Sequence, residues 1–429
     1  MKPYNVLVFP GGTEIGLEIG KSLSQCKEIQ LFSAGERTSD HAPYAFARHF
    51  LTPSVYQKSW IERLNEIVSL HKIDYIFPAH DDVVLALAEN RDQIKTKIVS
   101  SPVGTCLVSR FKSKTYKLFE GILPIPKVYS RIEEIKDFPV FVKPDKGQGS
   151  QFTHIVHRRE YLRGLLKEKQ NFIIMEYLPG EEYTVDCFSD RQKGLLFCGP
   201  RERLRIRNGI SMNSCAVKGN ADLFHKYAEA ISQKLAFYGA WFFQLKRDGQ
   251  GTYKLLEVAP RIAGTMAYHR VLGVNFPLLS LYEQERIPLE ILVNKIDVEI
   301  DRALMNRCRH SLVYDKVYLD LDDTLLFKNA VNTHLIQFVY QCINRKIPVI
   351  LMTKHAGDIQ ETLKKYRLTG LFEGVLLIDP AANKTDSIQK GEKAIFIDDS
   401  FSERLAASRR LGIPTFDCSM IEMLIDERV

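Results

Sequence analysis

The stretch Asp320-Leu-Asp-Asp-Thr324 directly follows the apolar run Val317-Tyr-Leu319, and this pattern predicts a buried strand that ends in acidic residues. Two carboxylates two residues apart at the carboxyl end of a strand point into one pocket. There one carboxylate can attack a phosphorus atom while the other handles the proton. The alternative is that the aspartates only cap helices.

Two further predicted strands end in polar residues of catalytic type. The apolar run 347–352 leads to Thr353, and the run 394–397 leads into Asp398-Asp399. Lys384 lies between these two strands in the sequence. If the aspartates at 320–323 were only helix caps, there would be no reason to find Thr353, Lys384 and Asp398-Asp399 at these places. The pattern therefore favours a phosphoryl-transfer site.

From about residue 314 to the end, the chain resembles the haloacid dehalogenase-like phosphatases, with all four family motifs present in order. The resemblance implies a Rossmann-like domain over 312–429 and an aspartyl-phosphate on Asp320. Asp322 would then protonate the leaving group and activate water, while Thr353 and Lys384 hold phosphoryl oxygens. The implied ligands of Mg²⁺ are carboxylates, at Asp320, Asp322, Asp398 and Asp399.

The spacing of these motifs bounds the size of any insertion. Asp320 and Thr353 are 33 positions apart, and Thr353 and Lys384 are 31 apart. Each interval holds one helix–strand unit of ordinary size. We therefore expect no inserted cap domain, and a site that is open or is covered by the rest of the chain.

The composition sets broader limits. With 429 residues, the chain is long enough for two to four domains, and 45% hydrophobic and 26% charged residues are typical of soluble globular proteins. The net charge of +7 suits small anionic substrates better than nucleic acid. The eight cysteines form no Cys-x-x-Cys pair, which disfavours zinc and redox sites. We expect a cytoplasmic protein without a secretory signal or membrane contact.

The first 108 residues alternate predicted strands (5–9, 29–33, 75–77) with helices, which indicates a parallel sheet. The turn Gly11-Gly12 lacks the Gly-x-Gly-x-x-Gly spacing, so a tight turn is favoured over a nicotinamide site. Asp81 and Asp82 are interpreted as helix caps rather than catalysts.

The middle of the chain has a second candidate site for phosphate. A predicted strand over 138–143 ends at Lys143, and Gly147-Gln-Gly-Ser150 follows. Glycines let backbone N–H groups approach phosphate oxygens, and the lysine adds a positive charge. A glycine-rich hairpin turn without a ligand is the alternative.

A predicted hairpin, 241–245 with 253–258, brings Gln244 and Glu257 together as oxygen ligands. The alternatives are a buried, hydrogen-bonded glutamine and a carboxylate at a surface strand end. Arg201, Arg203, Arg205 and Arg207 alternate on a predicted strand and would share one face. We prefer an anion-binding wall for that face over a solvated one.

In this order of motifs, residues 1–290 resemble the ATP-grasp superfamily, in its carbamoyl-phosphate-synthetase-like or biotin-carboxylase-like branch. The resemblance implies an α/β and α+β multidomain fold: a Rossmann-like pre-ATP-grasp domain (1–108) and an ATP-grasp domain (109–300), linked to the third domain by a looser segment near 288–309. It implies ATP and Mg²⁺ as cofactors. The implied ATP contacts are lysines (Lys112, Lys143), a loop (Gly147, Gly149, Ser150), a hinge (Glu176, Tyr177, Leu178) and the ribose contact Glu182. Arg203, one of the alternating arginines, is our own candidate for a contact with ATP. Gln244 and Glu257 match the metal ligands, and Arg261 matches the arginine on the transferred phosphoryl group.

Two positions depart from the family pattern. Ala259 replaces the asparagine of the usual Glu-x-Asn-Pro-Arg and cannot bind a metal, so one Mg²⁺ loses a ligand. Phe111 stands where an aspartate usually precedes the first lysine, which weakens the assignment of Lys112. His269 and Arg270 could line an acceptor pocket, although a packing role is favoured for the histidine.

These observations predict a bifunctional enzyme. The ATP-grasp part would join a small-molecule carboxylate and an amine through an acyl phosphate, releasing ADP, and the last domain would hydrolyse a phosphorylated small molecule. A kinase is an alternative, and so is a nucleotide sensor or scaffold with a degenerate ATP site. The oligomeric state is open, with a homodimer as one option.

Overall fold

The computed structural model describes residues 4–37, 41–168, 171–294, 296–303, 308 and 310–428. The chain divides into two compact units, residues 1–303 and 304–428. Each unit has its own sheets and its own apolar clusters.

The first unit begins with a five-stranded parallel sheet. Its strands at 4–9, 29–35 and 75–78 confirm the three predicted strands. The strands are β1 (Tyr4–Phe9), β2 (Ile29–Gly35), β3 (His49–Leu51), β4 (Tyr75–Pro78) and β5 (Lys97–Ile98), in the order β3-β2-β1-β4-β5. The helices are α1 (Glu14–Leu23), α2 (Ala42–Ala45), α3 (Trp60–His71), α4 (Asp81–Glu89), α5 (Val103–Arg110) and α6 (Lys112–Phe119).

Helix α1 starts very close to the turn that precedes it. A Cβ atom added to Gly16 would lie 2.5 Å from the carbonyl oxygen of Pro10, so only glycine fits there. A Cβ on Gly11 would lie 2.6 Å from Cβ of Ser33. Packing alone therefore accounts for these glycines, as the tight-turn interpretation expects.

A four-stranded antiparallel sheet follows. It consists of β6 (Val128–Tyr129), β7 (Val140–Pro144), β8 (His154–Val156) and β9 (Phe172–Glu176), in the order β6-β9-β7-β8, with helix α7 (Arg159–Glu168) beside it. The apolar residues of these strands pack against Leu162 and Leu165 of α7. The polar ends of β7 and β9, Lys143 and Glu176, lie on one cavity wall.

A six-stranded antiparallel sheet completes the first unit. Its strands are β10 (Glu182–Asp190), β11 (Gly194–Arg207), β12 (Ile210–Ala216), β13 (Gly239–Arg247), β14 (Tyr253–Ala259) and β15 (Glu299–Asp301), in the order β14-β13-β10-β11-β12-β15. The helices are α8 (Ala221–Lys234), α9 (Ala267–Val271) and α10 (Phe276–Gln284). The segment predicted as a linker near 288–309 is therefore in part a sheet strand, and residues 295, 304–307 and 309 lie outside the described residues.

The alternating sequence of the large sheet gives it two different faces. On β10, Tyr183, Val185 and Cys187 are buried in an apolar cluster with helix α8. The residues between them, such as Thr184, lie on the other face, which carries the polar groups of the site. The period of two along each strand thus separates the core from the site.

The second unit is built around a five-stranded parallel sheet. Its strands are β16 (Lys316–Leu319), β19 (Val349–Thr353), β20 (Gly374–Leu377), β21 (Ala394–Ile397) and β22 (Thr415–Phe416), in the order β20-β19-β16-β21-β22. The small hairpin β17 (Leu326–Phe327) with β18 (Ala330–Val331) and the helices α11 (Thr333–Asn344), α12 (Ile359–Lys365) and α13 (Phe401–Leu411) complete it. The predicted strands at 317–319, 347–352 and 394–397 are confirmed to within two residues.

Candidate active sites

A cavity of about 280 Å³ lies between the four-stranded sheet and the large sheet of the first unit. We call it the first cavity. The twelve residues predicted to contact the nucleotide or its metal all line this cavity: Lys112, Lys143, Gly147, Gly149, Ser150, Glu176, Tyr177, Leu178, Glu182, Arg203, Gln244 and Glu257. Arg261, predicted to contact the transferred phosphoryl group, does not line it. The twelve residues come from six strands, two loops and the start of a helix, and the fold brings them together.

The two lysines of the first cavity are buried and have no carboxylate within ion-pair distance among the described residues. Lys112 Nζ donates to the carbonyl oxygen of Gly147 at 2.9 Å, and Lys143 Nζ donates to the hydroxyl of Tyr116 at 2.9 Å. Burial lowers the pKa of both lysines, that of Lys143 to about 8, although the charge of Glu257 opposes the shift. Two such cations leave positive charge for an anion such as phosphate.

Three of the described carboxylates line this cavity, and Glu257 differs from Glu176 and Glu182 because those two form ion pairs. Glu257 acts to raise the pKa of both Lys112 and Lys143, yet it forms no hydrogen bond or ion pair with any described residue. Gln244 lies directly opposite it on the neighbouring strand, but Gln244 Oε1 accepts a hydrogen bond from Arg203 at 2.9 Å. Glu257 is thus available to a divalent cation, and the geometry of Gln244 fits the hydrogen-bonded alternative.

Glu182 and Arg203 form a polar partition at the edge of the first cavity. Glu182 accepts from Arg203 at 3.0 Å and from Lys246 Nζ at 2.8 Å. Arg203 also donates to the carbonyl oxygen of Gly209 at 2.6 Å, while its Nε is buried without a partner in the described structure. Arg203 lines a second cavity as well, so it lies in the wall that the two cavities share.

The second cavity has a volume of about 510 Å³ and is lined mostly by polar residues. The amino end of helix α1 contributes Thr13 and Glu14 to it. Glu257 and the loop 148–151 border both cavities. The arginines of this second cavity are Arg201, Arg203, Arg261 and Arg302.

Arg261 lies in the second cavity and is held by the parallel sheet domain. Its guanidinium donates to both carboxylate oxygens of Asp81, at 2.5 and 2.9 Å. Burial acts to raise the pKa of Asp81, but Arg261 outweighs it and holds that pKa at about 2. The interpretation of Asp81 and Asp82 as helix caps is wrong. The side chain that caps α4 is His80, and Asp82 pairs with Arg110 at 2.9 Å.

The four alternating arginines do not form one wall. The register of β11 shifts at Arg203 and again at Arg205, so the strand loses its regular alternation there. Arg201 is fully buried against Asp186 at 2.8 Å, whereas Arg205 is exposed and pairs with Asp301. The single wall predicted from sequence is therefore wrong beyond Arg203.

His269 and Arg270 do not line either cavity. The His269 ring is buried, with Nε2 at 3.1 Å from the carbonyl oxygen of Gly199. Arg270 donates to Glu18 at 2.7 Å. His269 is therefore a buried packing residue, which was the favoured alternative.

In the second unit, the strand ends of β16, β19 and β21 bring the predicted residues together. Lys384 Nζ donates to Asp320 at 2.5 Å and to Asp398 at 2.7 Å. Burial raises the pKa of Asp320 to about 6, although Lys384 opposes the shift. The carboxylates of Asp320, Asp398 and Asp399 lie within 4.8 Å of one another and could hold one metal ion.

Asp322 does not belong to this carboxylate cluster. Its two oxygens lie 3.0 Å from Nδ1 of His355, and Thr353 Oγ1 donates to it at 3.3 Å. The side chain is 48% exposed, so it faces the open side of the site. The Asp322 carboxylate is not among the three that lie close enough together to share one metal ion, and its contact with a metal stays a prediction.

Two residues of this site were missed by the sequence argument. Thr324 Oγ1 donates to Asp320 at 3.0 Å and accepts from the backbone N–H of Asp399 at 2.9 Å. His355 contacts Asp322 through one ring nitrogen and Thr362 through the other, at 2.9 Å. Thr324 ends the acidic stretch 320–324, and His355 lies two residues after Thr353. Their closeness in sequence to predicted site residues was the signal that could have found them.

Comparisons with known proteins place the first unit in a fold class. Residues 168–298 match a family described as ATP-grasp in the biosynthetic pathway with Ter operon. A D-alanine–D-alanine ligase of Fusobacterium nucleatum is 29% identical over 106 residues, which are 24% of this chain and 37% of that protein. The chain thus spans little more than a third of the length of this relative.

Two solved structures resemble 68% of the chain. One is the biotin carboxylase domain of 2-oxoglutarate carboxylase from Hydrogenobacter thermophilus in complex with MgADP and bicarbonate, with a TM-score of 0.56, 14% identity and 72% of that chain covered. The other is an L-amino acid ligase from Bacillus licheniformis, with a TM-score of 0.55, 16% identity and 76% of that chain covered. The chain therefore contains the ATP-grasp fold within a mixed α/β multidomain architecture. Among the described residues, no helix is long and apolar enough to cross a membrane.

Proposed function

We propose that the first unit is an ATP-dependent carboxylate–amine ligase that releases ADP. The observation that carries this proposal is the first cavity, in which two buried lysines without carboxylate partners face the free carboxylate of Glu257. Such a set can bind phosphates and a divalent cation side by side. The ATP-grasp fold and the ligases among the similar proteins support the same reaction class.

The residues of the first cavity then have separate tasks. Lys112 and Lys143 bind the phosphates, and the loop 147–150 covers them with backbone N–H groups. The strand end at Glu176 and the two residues after it line the part of the cavity where the base would bind. Mg²⁺ held by Glu257 would neutralise charge on the phosphates. With alanine at position 259, fewer side-chain oxygens are available to a second ion.

The second cavity would hold the acceptor. A carboxylate oxygen of the acceptor attacks the γ-phosphorus of ATP, and ADP leaves, which gives an acyl phosphate. The amine nitrogen then attacks the acyl carbon, loses a proton, and inorganic phosphate leaves. Arg261, fixed by Asp81, would orient the oxygens that carry charge during these steps. Positioning and charge neutralisation provide the rate enhancement.

We propose further that the second unit is a capless haloacid dehalogenase-like phosphatase. The supporting observation is the contact of Lys384 with both Asp320 and Asp398, beside Thr353 and Asp322. Asp320 would attack the phosphorus and form an aspartyl-phosphate, which water then hydrolyses. Asp322 would first donate a proton to the leaving oxygen and then take one from water. Mg²⁺ at Asp320, Asp398 and Asp399 would neutralise phosphoryl charge.

Two assays test these proposals separately. ADP release with pooled carboxylates and amines should require both pools and should be lost in Lys143→Met. Hydrolysis of p-nitrophenyl phosphate with Mg²⁺ should be lost in Asp320→Asn, which leaves ADP release intact. ADP release with the carboxylate pool alone and no phosphate release would contradict the ligase and indicate a kinase. Hydrolysis that survives in Asp320→Asn would contradict the phosphatase.

The two reactions are proposed to act on related compounds. Tethering raises the local concentration of one site's product for the other site. Products from a metabolite extract with ATP should therefore differ between the parent protein and Asp320→Asn, with a phosphorylated amide accumulating only in the variant. The same final compound in both would contradict the coupling.

A further inference from the structure

Arg302 projects from the edge of the large sheet into the second cavity. Strand β15 pairs with β12, and the backbone N–H of Arg302 continues this pairing by donating to Met212 at 2.7 Å. Side chains alternate along a strand, and Asp301 points outward to pair with exposed Arg205. Arg302 therefore lies on the cavity side, and it lines the second cavity but not the first.

The charge of Arg302 is not matched by a direct partner. The other three arginines of the cavity are each in an ion pair, with Asp186, Glu182 and Asp81. Arg302 forms no side-chain hydrogen bond or ion pair with any described residue. Burial lowers the pKa of Arg302, and the more distant carboxylates of Glu14 and Glu18 only partly oppose this. A partly buried cation without a partner is costly, and an anionic ligand removes that cost.

The position of Arg302 separates it from the reacting end of the acceptor. Under the proposed ligase function, on which this inference rests, the reacting carboxylate must lie near Glu257, where the two cavities share a wall. Arg302 lines only the second cavity, so it would contact a different part of the acceptor. The cavity of about 510 Å³ is large enough for a molecule with two charged ends.

We propose that the acceptor carries a second anionic group, a carboxylate or a phosphate ester, and that Arg302 binds it. The chemistry shared by both groups is a set of oxygens that accept two parallel hydrogen bonds from a guanidinium. The second unit is proposed to hydrolyse a phosphate ester, so an acceptor with such a group would be consistent with both proposals. The neutral ends of simple monocarboxylates would leave Arg302 without a partner.

Calorimetric titration with three probes tests this. Acetate, succinate and 3-phosphoglycerate are titrated into the full chain with saturating MgADP, in an Asp320→Asn background that prevents hydrolysis. We expect succinate or 3-phosphoglycerate to bind at least about 10-fold more tightly than acetate, since a charge-assisted pair contributes that much. Arg302→Gln should remove this preference and Arg302→Lys should keep part of it. Arg205→Gln, on the exposed side of the same sheet edge, should have no effect.

Each outcome decides one claim. A preference for 3-phosphoglycerate over succinate assigns a phosphate ester, and the reverse assigns a carboxylate. Equal binding of all three probes, or a preference that survives in Arg302→Gln, overturns the inference while MgADP binding still supports the ligase. Arg302-dependent binding of a dianion by a chain that fails to bind MgADP would instead retain the anion site and overturn the proposed function.

Discussion

Gln244 and Glu257 lie opposite each other on neighbouring antiparallel strands, but only the Glu257 carboxylate is free of hydrogen bonds to described residues. The side-chain oxygen of Gln244 accepts a hydrogen bond from Arg203. Two residues that the sequence treats as an equivalent pair of metal ligands are therefore electrostatically different. This difference leads to the first prediction.

Glu257→Gln should weaken binding of MgADP by at least about 10-fold, because the divalent cation loses a carboxylate ligand. ADP without metal should bind as tightly or more tightly, since the phosphates no longer face a negative charge. Calorimetric titration with and without Mg²⁺ measures both affinities. Glu181→Gln, an exposed residue paired with Arg247, is the matched control. Equal loss with and without Mg²⁺ would contradict the metal role of Glu257.

The affinity for ADP should fall as the pH rises from 7 to 9. Lys143 has a pKa of about 8 in the free protein, so it is charged at pH 7 and mostly neutral at pH 9. Bound phosphate favours the charged form, so binding above pH 8 must take up a proton. The titration is repeated across this range for the parent and for Lys143→Met, whose profile should be flatter. Lys167→Met, on the exposed face of α7, should keep the parent profile.

The same lysine should affect stability with a defined sign. Its folded pKa of about 8 is below the ordinary value of 10.5, so between these values the unfolded chain binds more protons. Lys143 therefore destabilises the free protein at pH 7, and this penalty is relieved as the pH rises from 8 towards 10.5. Lys143→Met should raise the unfolding midpoint in urea at pH 7. The increase over the parent protein should be smaller at pH 9.5. A larger gain at pH 9.5 would contradict the lowered pKa.

Breaking the Arg261–Asp81 pair should destabilise the first unit. Asp81→Asn leaves a buried guanidinium without its counter-charge, which costs about 3–5 kcal/mol. Urea denaturation followed by fluorescence measures this, because both tryptophans, Trp60 and Trp241, belong to the first unit. The double variant Asp81→Asn/Arg261→Met should recover part of the loss. Glu134→Gln, in an exposed pair with Arg131, should leave the urea midpoint nearly unchanged.

His355 should affect the turnover of the phosphatase more than its substrate binding. The ring contacts both oxygens of Asp322, so it holds the proposed acid and base in one orientation. His355→Ala should lower kcat about 10-fold with little change in KM. The loss is smaller than the full contribution of acid–base catalysis, because Asp322 itself remains. His355→Asn, which can still donate to the carboxylate, should recover some of the rate. His334→Ala, exposed on α11, is the control, and a loss confined to KM would contradict the positioning role.

The strands β1, β16, β19 and β21 were well predicted because each is a short, mostly apolar run that ends next to polar residues or a turn. The ends of β16, β19 and β21 brought Asp320, Thr353 and Asp398 to one edge of a parallel sheet, as topology requires. The error on the arginines of β11 had a local cause. A shift of register after Arg203 interrupts the alternation, and nothing in the alternating pattern signals such a shift.

The ion pairs between distant residues could not be predicted in the same way. Arg261 and Asp81 are 180 positions apart, and Asp81 looked like an ordinary residue of a first helical turn. The orientation of the Asp322 carboxylate could not be predicted from the sequence either. Its direction depends on His355, which comes from the end of another strand.

The sequence by itself determined which chemical groups this protein has, since apolar runs, glycine turns and acidic strand ends are local patterns with local physical causes. Tertiary structure decided which of those groups are already neutralised. Asp186 and Glu182 compensate Arg201 and Arg203, whereas Arg302 and Glu257 stay unpaired among the described residues. Charge compensation depends on distances between segments far apart in the chain, and only the folded arrangement sets those distances.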